Sequence, residues 1–138
     1  RQTAHWAIDK YGPPDTVSEA MLVWDRNGPW KKTIVHRAAK SADGVLEQVV
    51  AYAIPPEKST DIEQMRVGLV QDAARSQLSI TSESEQLNFL AMNLAHDVIT
   101  GAISPEMAYS AYGRTFTLSL SGKSLPYMEG LIFVPREQ

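Results

Sequence analysis

Three histidines, His5, His36 and His96, are the side chains of this sequence best matched to proton transfer near neutral pH. A hydrolase- or isomerase-type site would use His36 or His96 as base, with Asp97 or Glu47 in support. His96 and Asp97 are adjacent, and neighbours on a helix point about 100° apart, so those two do not pair directly. No G-x-S-x-G elbow marks a serine nucleophile. No histidine lies three or four residues from another, so the helical two-histidine metal motif is missing. The chain has no cysteine, which removes thiolate metal sites, iron–sulfur clusters and cysteine nucleophiles together. These residues imply no metal and no cofactor. Gly122-Lys123-Ser124 looks like the end of a phosphate-binding loop. Thr117, however, stands where that loop needs its first glycine, and Pro126 follows closely. The triplet reads as a polar hairpin turn.

A second group of residues suits binding. Arg26, Lys31, Lys32, Arg37 and Lys40 crowd a segment in which Asp25 is the lone acid. With Trp24 or Trp30 as an aromatic anchor, Lys31 and Lys32 would dock an anionic partner. The plainer reading is a solvated basic face over packed tryptophans. Farther on, Phe89, Met92, Asn93 and His96 lie opposite the core stripe of a helix, which is unusually apolar for a solvent side. Either the C-terminal tail or a partner must cover them.

The elements that position these groups can be followed along the chain. Ala4, Ala7, Ile8 and Tyr11 form a helical stripe, stopped by Gly12 and the two prolines behind it. Met21–Trp24 and Lys31–Ala38 read as two strands around Asn27-Gly28, and Pro29 suggests a loop of four or five residues between them. A turn is expected over 40–44. Residues 45–54, apolar on both faces, read as a central strand. Residues 57–64 suit a helical turn, and 65–72 and 77–81 two shorter strands, although 61–71 also fits a helix. Ser82-Glu83-Ser84-Glu85 has the form of a capping box with Ser82 as cap. The stripe Leu87, Leu90, Ala91, Leu94, Ala95 and Val98 makes the following helix the clearest element. A second helix starts at Ser104-Pro105 and is expected to stop at Gly113. Residues 115–121 alternate apolar and polar like a half-buried strand, and 131–134 suit a returning one.

Helices and hairpins so segregated predict an α+β fold. The expected form is an antiparallel sheet of about five strands packed on the long helix and its αα-hairpin, with an N-terminal helix and a C-terminal β tail. The 138 residues fit a single domain, with a core over 3–113 and a β extension over 114–138. With 43% hydrophobic and 21% charged residues, the composition is that of an ordinary globular chain. A net charge of -3 argues against a general nucleic-acid binder. No apolar run approaches the ~20 residues of a transmembrane helix.

Tyr11-Gly12-Pro13-Pro14-Asp15, a strand ending in Trp24, and Asn27-Gly28-Pro29-Trp30-Lys31-Lys32-Thr33 resemble a group of small uncharacterised bacterial proteins, often with exported precursors. Glu47-Gln48 and the run from Leu87 to Asp97 look like later signatures of the same group. A looser likeness, by analogy alone, is to small outer-membrane assembly lipoproteins of the SmpA/OmlA type, in which a helix ends in a Gly-x-Pro turn before a sheet. The resemblance brings no activity with it. It implies a periplasmic or secreted protein, the alternative being cytoplasmic. The combined expectation is a non-catalytic binding or interaction module with a protein partner. The histidine–carboxylate enzyme and a structural homodimer, formed by strand exchange through the tail, are the alternatives.

Overall fold

Alternation along the strands sorts this chain onto two faces of one sheet. Leu22 and Trp24, Thr33 and Val35, Leu46, Gln48 and Val50, and Leu78 and Ile80 occupy one face and are buried there. The computed structural model describes residues 3–37 and 44–136. Its sheet has six antiparallel strands: β1 (Thr16–Val17), β2 (Met21–Asn27), β3 (Trp30–Arg37), β4 (Gly44–Ala51), β5 (Val70–Asp72) and β6 (Gln77–Ser82). They stand in the order β1-β2-β3-β4-β6-β5. The protein is therefore α+β with an antiparallel sheet, as its segregated patterning predicts, and β4 is an inner strand. The turn expected over 40–44 falls outside the described residues except for Gly44.

The helices are α1 (Thr3–Tyr11), α2 (Ser59–Gln64), α3 (Glu85–Ile99) and α4 (Pro105–Ser119). Gly12 ends α1 at φ 84, its N–H donating to the Ile8 carbonyl at 2.8 Å. Helix α1 packs Ala4 and Ala7 on Leu22, Trp24, Val35 and Leu46, one of two cores. The larger core surrounds α3, which is apolar on nearly all sides and correspondingly buried. The opposite sheet face carries Met21, Val23, Lys32, Ile34, His36, Val45 and Glu47, all partly or fully exposed, and also Val49, which is buried.

Several local expectations need correction. The β2–β3 connection is a two-residue turn closed by the Asn27–Trp30 pair, not a longer loop. Gly28 sits at φ 62, the first central position at which the mirror-image hairpin turns accept glycine, and Pro29 fills the second. The cap of α3 is Ser84, whose hydroxyl accepts from the Leu87 N–H, rather than Ser82. Within 65–72, only residues 70–72 form a strand.

The largest corrections concern the end of the chain. Residues 115–119 are helical, because α4 runs through Gly113 instead of stopping there. Glycine inside an exposed helix costs about 1 kcal/mol relative to alanine, too little to end a helix anchored on α2 and α3. Gly113 has no positive φ, and a Cβ there would meet nothing within 4 Å. Gly113→Ala is accordingly expected to raise stability by about 0.5–1 kcal/mol, read as a higher denaturant midpoint. A destabilised variant would mean that the helix breaks at this position.

The tail forms no described strand either. Asn93, fully buried on α3, holds its irregular backbone: Nδ2 donates to the Tyr127 and Gly130 carbonyls at 3.0 and 2.8 Å. Its Oδ1 accepts the Ile132 N–H at 2.8 Å. One side chain thus satisfies three backbone groups that a strand would have paired in a ladder. The tail covers Met92, Asn93 and His96, so the apolar outer face of the long helix is closed from within the chain.

Candidate functional site

The most connected polar cluster joins α1, the sheet and α3. Glu85, at the first position of α3, accepts from the Tyr11 hydroxyl at 2.5 Å and from Trp30 Nε1 at 2.8 Å, and pairs with Lys10. Tyr11 also accepts from Gln48 Nε2 at 2.9 Å. Gln48 in turn reaches Thr33 at 3.2 Å, and its Oε1 accepts from Asn88 Nδ2 at 2.9 Å. Burial, then the hydrogen bond to Glu85 and its charge, push the Tyr11 phenol far above its usual range. Gln48, Asn88 and Thr33 are fully buried, and every one has a partner. A closed, satisfied network of this kind fixes packing and offers no open coordination to a substrate.

His96 lies in a different setting. Its Nδ1 meets the Tyr52 hydroxyl at 2.8 Å, and Phe133 of the tail stacks on the imidazole at 4.7 Å between centroids. Tyr52 closes the corner edge-on to Phe133. Asp97 does not support His96; its Oδ2 accepts from the Tyr127 hydroxyl at 2.6 Å. That hydrogen bond, with burial and the Asp97 charge behind it, pushes the Tyr127 phenol up to about 12. Tyr52 is also raised, chiefly by burial and secondly by Asp97. A groove of about 480 Å³ opens beside this group, lined by Tyr52, His96, Ile132, Phe133, Val134 and Arg136 among others.

His36 and Glu47 do meet, Nε2 to Oε1 at 2.7 Å across β3 and β4. They sit partly exposed on the open sheet face, one diagonal step apart in register. Neither lines the groove at His96. The tryptophans are inside: Trp24 is 3% and Trp30 2% exposed. Trp24 donates to the Gly12 carbonyl at 2.9 Å, and Trp30 stacks on Phe89 at 5.1 Å. Neither indole presents a surface for the partner expected of them, and Phe89 and Asn93 are likewise enclosed. Lys31 lies partly buried beside Trp30 and already has a partner, while exposed Lys32 stands 3.8 Å from Asp25. Gly122-Lys123-Ser124 follows the C-terminus of α4, with Gly122 at φ 83, and opens no described helix.

A feature that sequence reasoning missed is the outer face of α4. Only Ala108 of its fifteen residues is buried. Tyr109, Phe116 and Leu118 are exposed, and with Val67 and Tyr112 they line a groove of about 810 Å³. Arg66 and Arg114 flank it, and no carboxylate is among its lining residues. The available signal was the spacing Tyr109, Tyr112, Phe116, which is helical and continues through Gly113.

Among the described residues, no group of three histidines or carboxylates could hold a metal ion. No described helix is long and apolar enough to cross a membrane. No protein-family model, curated protein or solved structure matches the chain. The described residues thus define an α+β protein with an antiparallel sheet, and the α4 groove and the groove at His96 are among its surface concavities.

Proposed function

We propose that this protein is a non-catalytic interaction module that docks an acidic, apolar-faced segment of a protein partner along α4. The observation that carries this reading is the α4 groove itself, in which exposed Tyr109, Phe116 and Leu118 lie between Arg66 and Arg114. Aromatic and arginine side chains dominate the energetics of protein interfaces. Two cations with no carboxylate partner among the described residues favour an acidic occupant by charge complementarity. The likeness of its Tyr11–Asp15 and Asn27–Thr33 signatures to exported bacterial proteins supports a periplasmic or secreted setting. The enzyme reading has one observation behind it, the 2.7 Å contact between His36 and Glu47, but that pair stands on the open sheet face rather than in a groove.

The probe is a labelled peptide with leucines at helical spacing and glutamates elsewhere, titrated by fluorescence anisotropy. The wild-type protein is expected to bind it saturably, and Arg66→Glu with Arg114→Glu to weaken binding about tenfold or more. Equal binding of a lysine counterpart, or indifference to the double reversal, would overturn the proposal. So would a concentration-dependent dimer dissolved by Leu118→Glu, because the occupant would then be a second copy.

A further inference from the structure

We infer that the groove beneath the C-terminal tail is a binding site for a small organic monoanion, a carboxylate carried on a flat apolar body. The site is separate from the α4 groove and independent of the reading above. Its cavity of about 480 Å³ falls within the range of about 300–1,000 Å³ common for small-molecule sites. Ala53, Ile132, Phe133 and Val134 supply an apolar lining, and Phe133 is already stacked against an imidazole. Such walls take an apolar, planar body in preference to a sugar or a polyphosphate.

Two polar side chains, His96 and Arg136, stand among this lining. The Tyr52 hydroxyl occupies His96 Nδ1 at 2.8 Å, leaving Nε2 as the nitrogen available to a ligand. When Tyr52 donates to Nδ1, the neutral ring carries its proton on Nε2 and is a donor there. The second group is Arg136, exposed and without a carboxylate partner among the described residues. Its backbone N–H donates to the Ala51 carbonyl at 3.2 Å, which ties this part of the tail to the end of β4. Asp97, next to His96 in sequence, would repel an anion. Its Oδ2 is engaged by Tyr127, and the residue is not among those lining the groove. One guanidinium and one imidazole N–H match the two oxygens of a carboxylate. They are too few for the charge of a phosphate monoester, so the structure favours the monoanion.

Phenylpropionate is the probe, with phenylpropanol as a neutral analogue of the same shape. Binding would be followed by calorimetry and by the ring resonances of His96. Wild-type protein is expected to bind the acid saturably, with the alcohol at least about tenfold weaker. Arg136→Ala should lose about tenfold in affinity for the acid while leaving the alcohol unchanged. Arg136 is exposed, so this variant tests the site without disturbing the core. Tyr52→Phe, which frees Nδ1, should alter the His96 ring resonances and weaken the acid as well. Equal affinity for acid and alcohol, no effect of Arg136→Ala, or shifts that map to α4 would each overturn the inference. Arg66→Glu with Arg114→Glu should leave phenylpropionate binding intact, so failure of either proposal can be told from failure of the other.

Discussion

Glu85→Ala is expected to cost about 2–4 kcal/mol of folding stability, a large share of the roughly 5–15 kcal/mol available to a domain. The carboxylate accepts from the partly buried Tyr11 hydroxyl and the buried Trp30 indole N–H, at 2.5 and 2.8 Å. Removing it leaves the buried indole N–H unpaired, at about 1–3 kcal/mol, and takes the acceptor of the partly buried Tyr11 hydroxyl, at about 1 kcal/mol. The ion pair with Lys10 contributes much less, because the lysine side chain is 49% exposed and returns to water when its partner is lost. Lys10→Met should therefore cost under about 1 kcal/mol. Glu85→Gln, which retains one acceptor oxygen, should fall between the two. Guanidinium unfolding with unchanged m-values would measure all three. If Lys10→Met proved as costly as Glu85→Ala, the charge pair rather than the neutral donors would be holding α1 to α3.

Much of the scaffold was readable because its signals are local. Gly12 behind Tyr11, Asn27-Gly28, and Ser104-Pro105 each act through backbone conformation within a few residues, and each stands at the boundary it marks. The strand character of β3 and the two apolar faces of the inner strand β4 are equally plain. Glu85 was misread because a capping box explains an S-x-x-E sequence without reference to tertiary structure. A contrary signal was present: Glu85 lies one turn before Phe89 and two before Met92, so it shares their face of α3. Once the tail closes over Met92 and Trp30 stacks on Phe89, that face is interior, and a carboxylate there must find donors.

The misread tail has the opposite cause. Residues 115–121 alternate well enough for a strand, but α4 was already nucleated at Ser104-Pro105, and extension adds one hydrogen bond for each residue fixed. Residues 131–134 are apolar enough for a strand, yet Asn93 satisfies their neighbourhood through its side chain, a long-range pairing that no periodicity reports. The same limit applies to the candidate sites. His36 and Glu47 are each visible as candidates in the sequence, but their pairing follows from the register of β3 and β4. Tyr52, just past the end of β4, meets His96 only through the packing of α3 on the sheet, and only the path of the tail brings Arg136 to the same groove.

Among the signature-bearing residues, Tyr11, Trp30, Gln48 and Asn88 converge on one network with Glu85. The two grooves are built largely elsewhere, one from α4 and Arg66 and the other from the tail with Tyr52 and His96.

Trp30 gives the scaffold its most sensitive point. Its indole leaves the open sheet face, although it shares parity with Lys32 and Ile34, and packs instead on Phe89 and Glu85. Nearby in β2, Arg26 holds a left-handed backbone conformation at φ 56. Trp30→Ala should cost about 3–5 kcal/mol through lost burial and the cavity left beside Phe89. Trp30→Phe keeps an aromatic ring on Phe89 but removes the N–H that Glu85 accepts, and should cost about 1–3 kcal/mol. The two residues share that hydrogen bond, so Trp30→Phe combined with Glu85→Ala should cost less than the sum of the single changes. Additivity within about 0.5 kcal/mol in chemical denaturation would show that the indole N–H and the carboxylate act independently, and the network would then be two separate contacts.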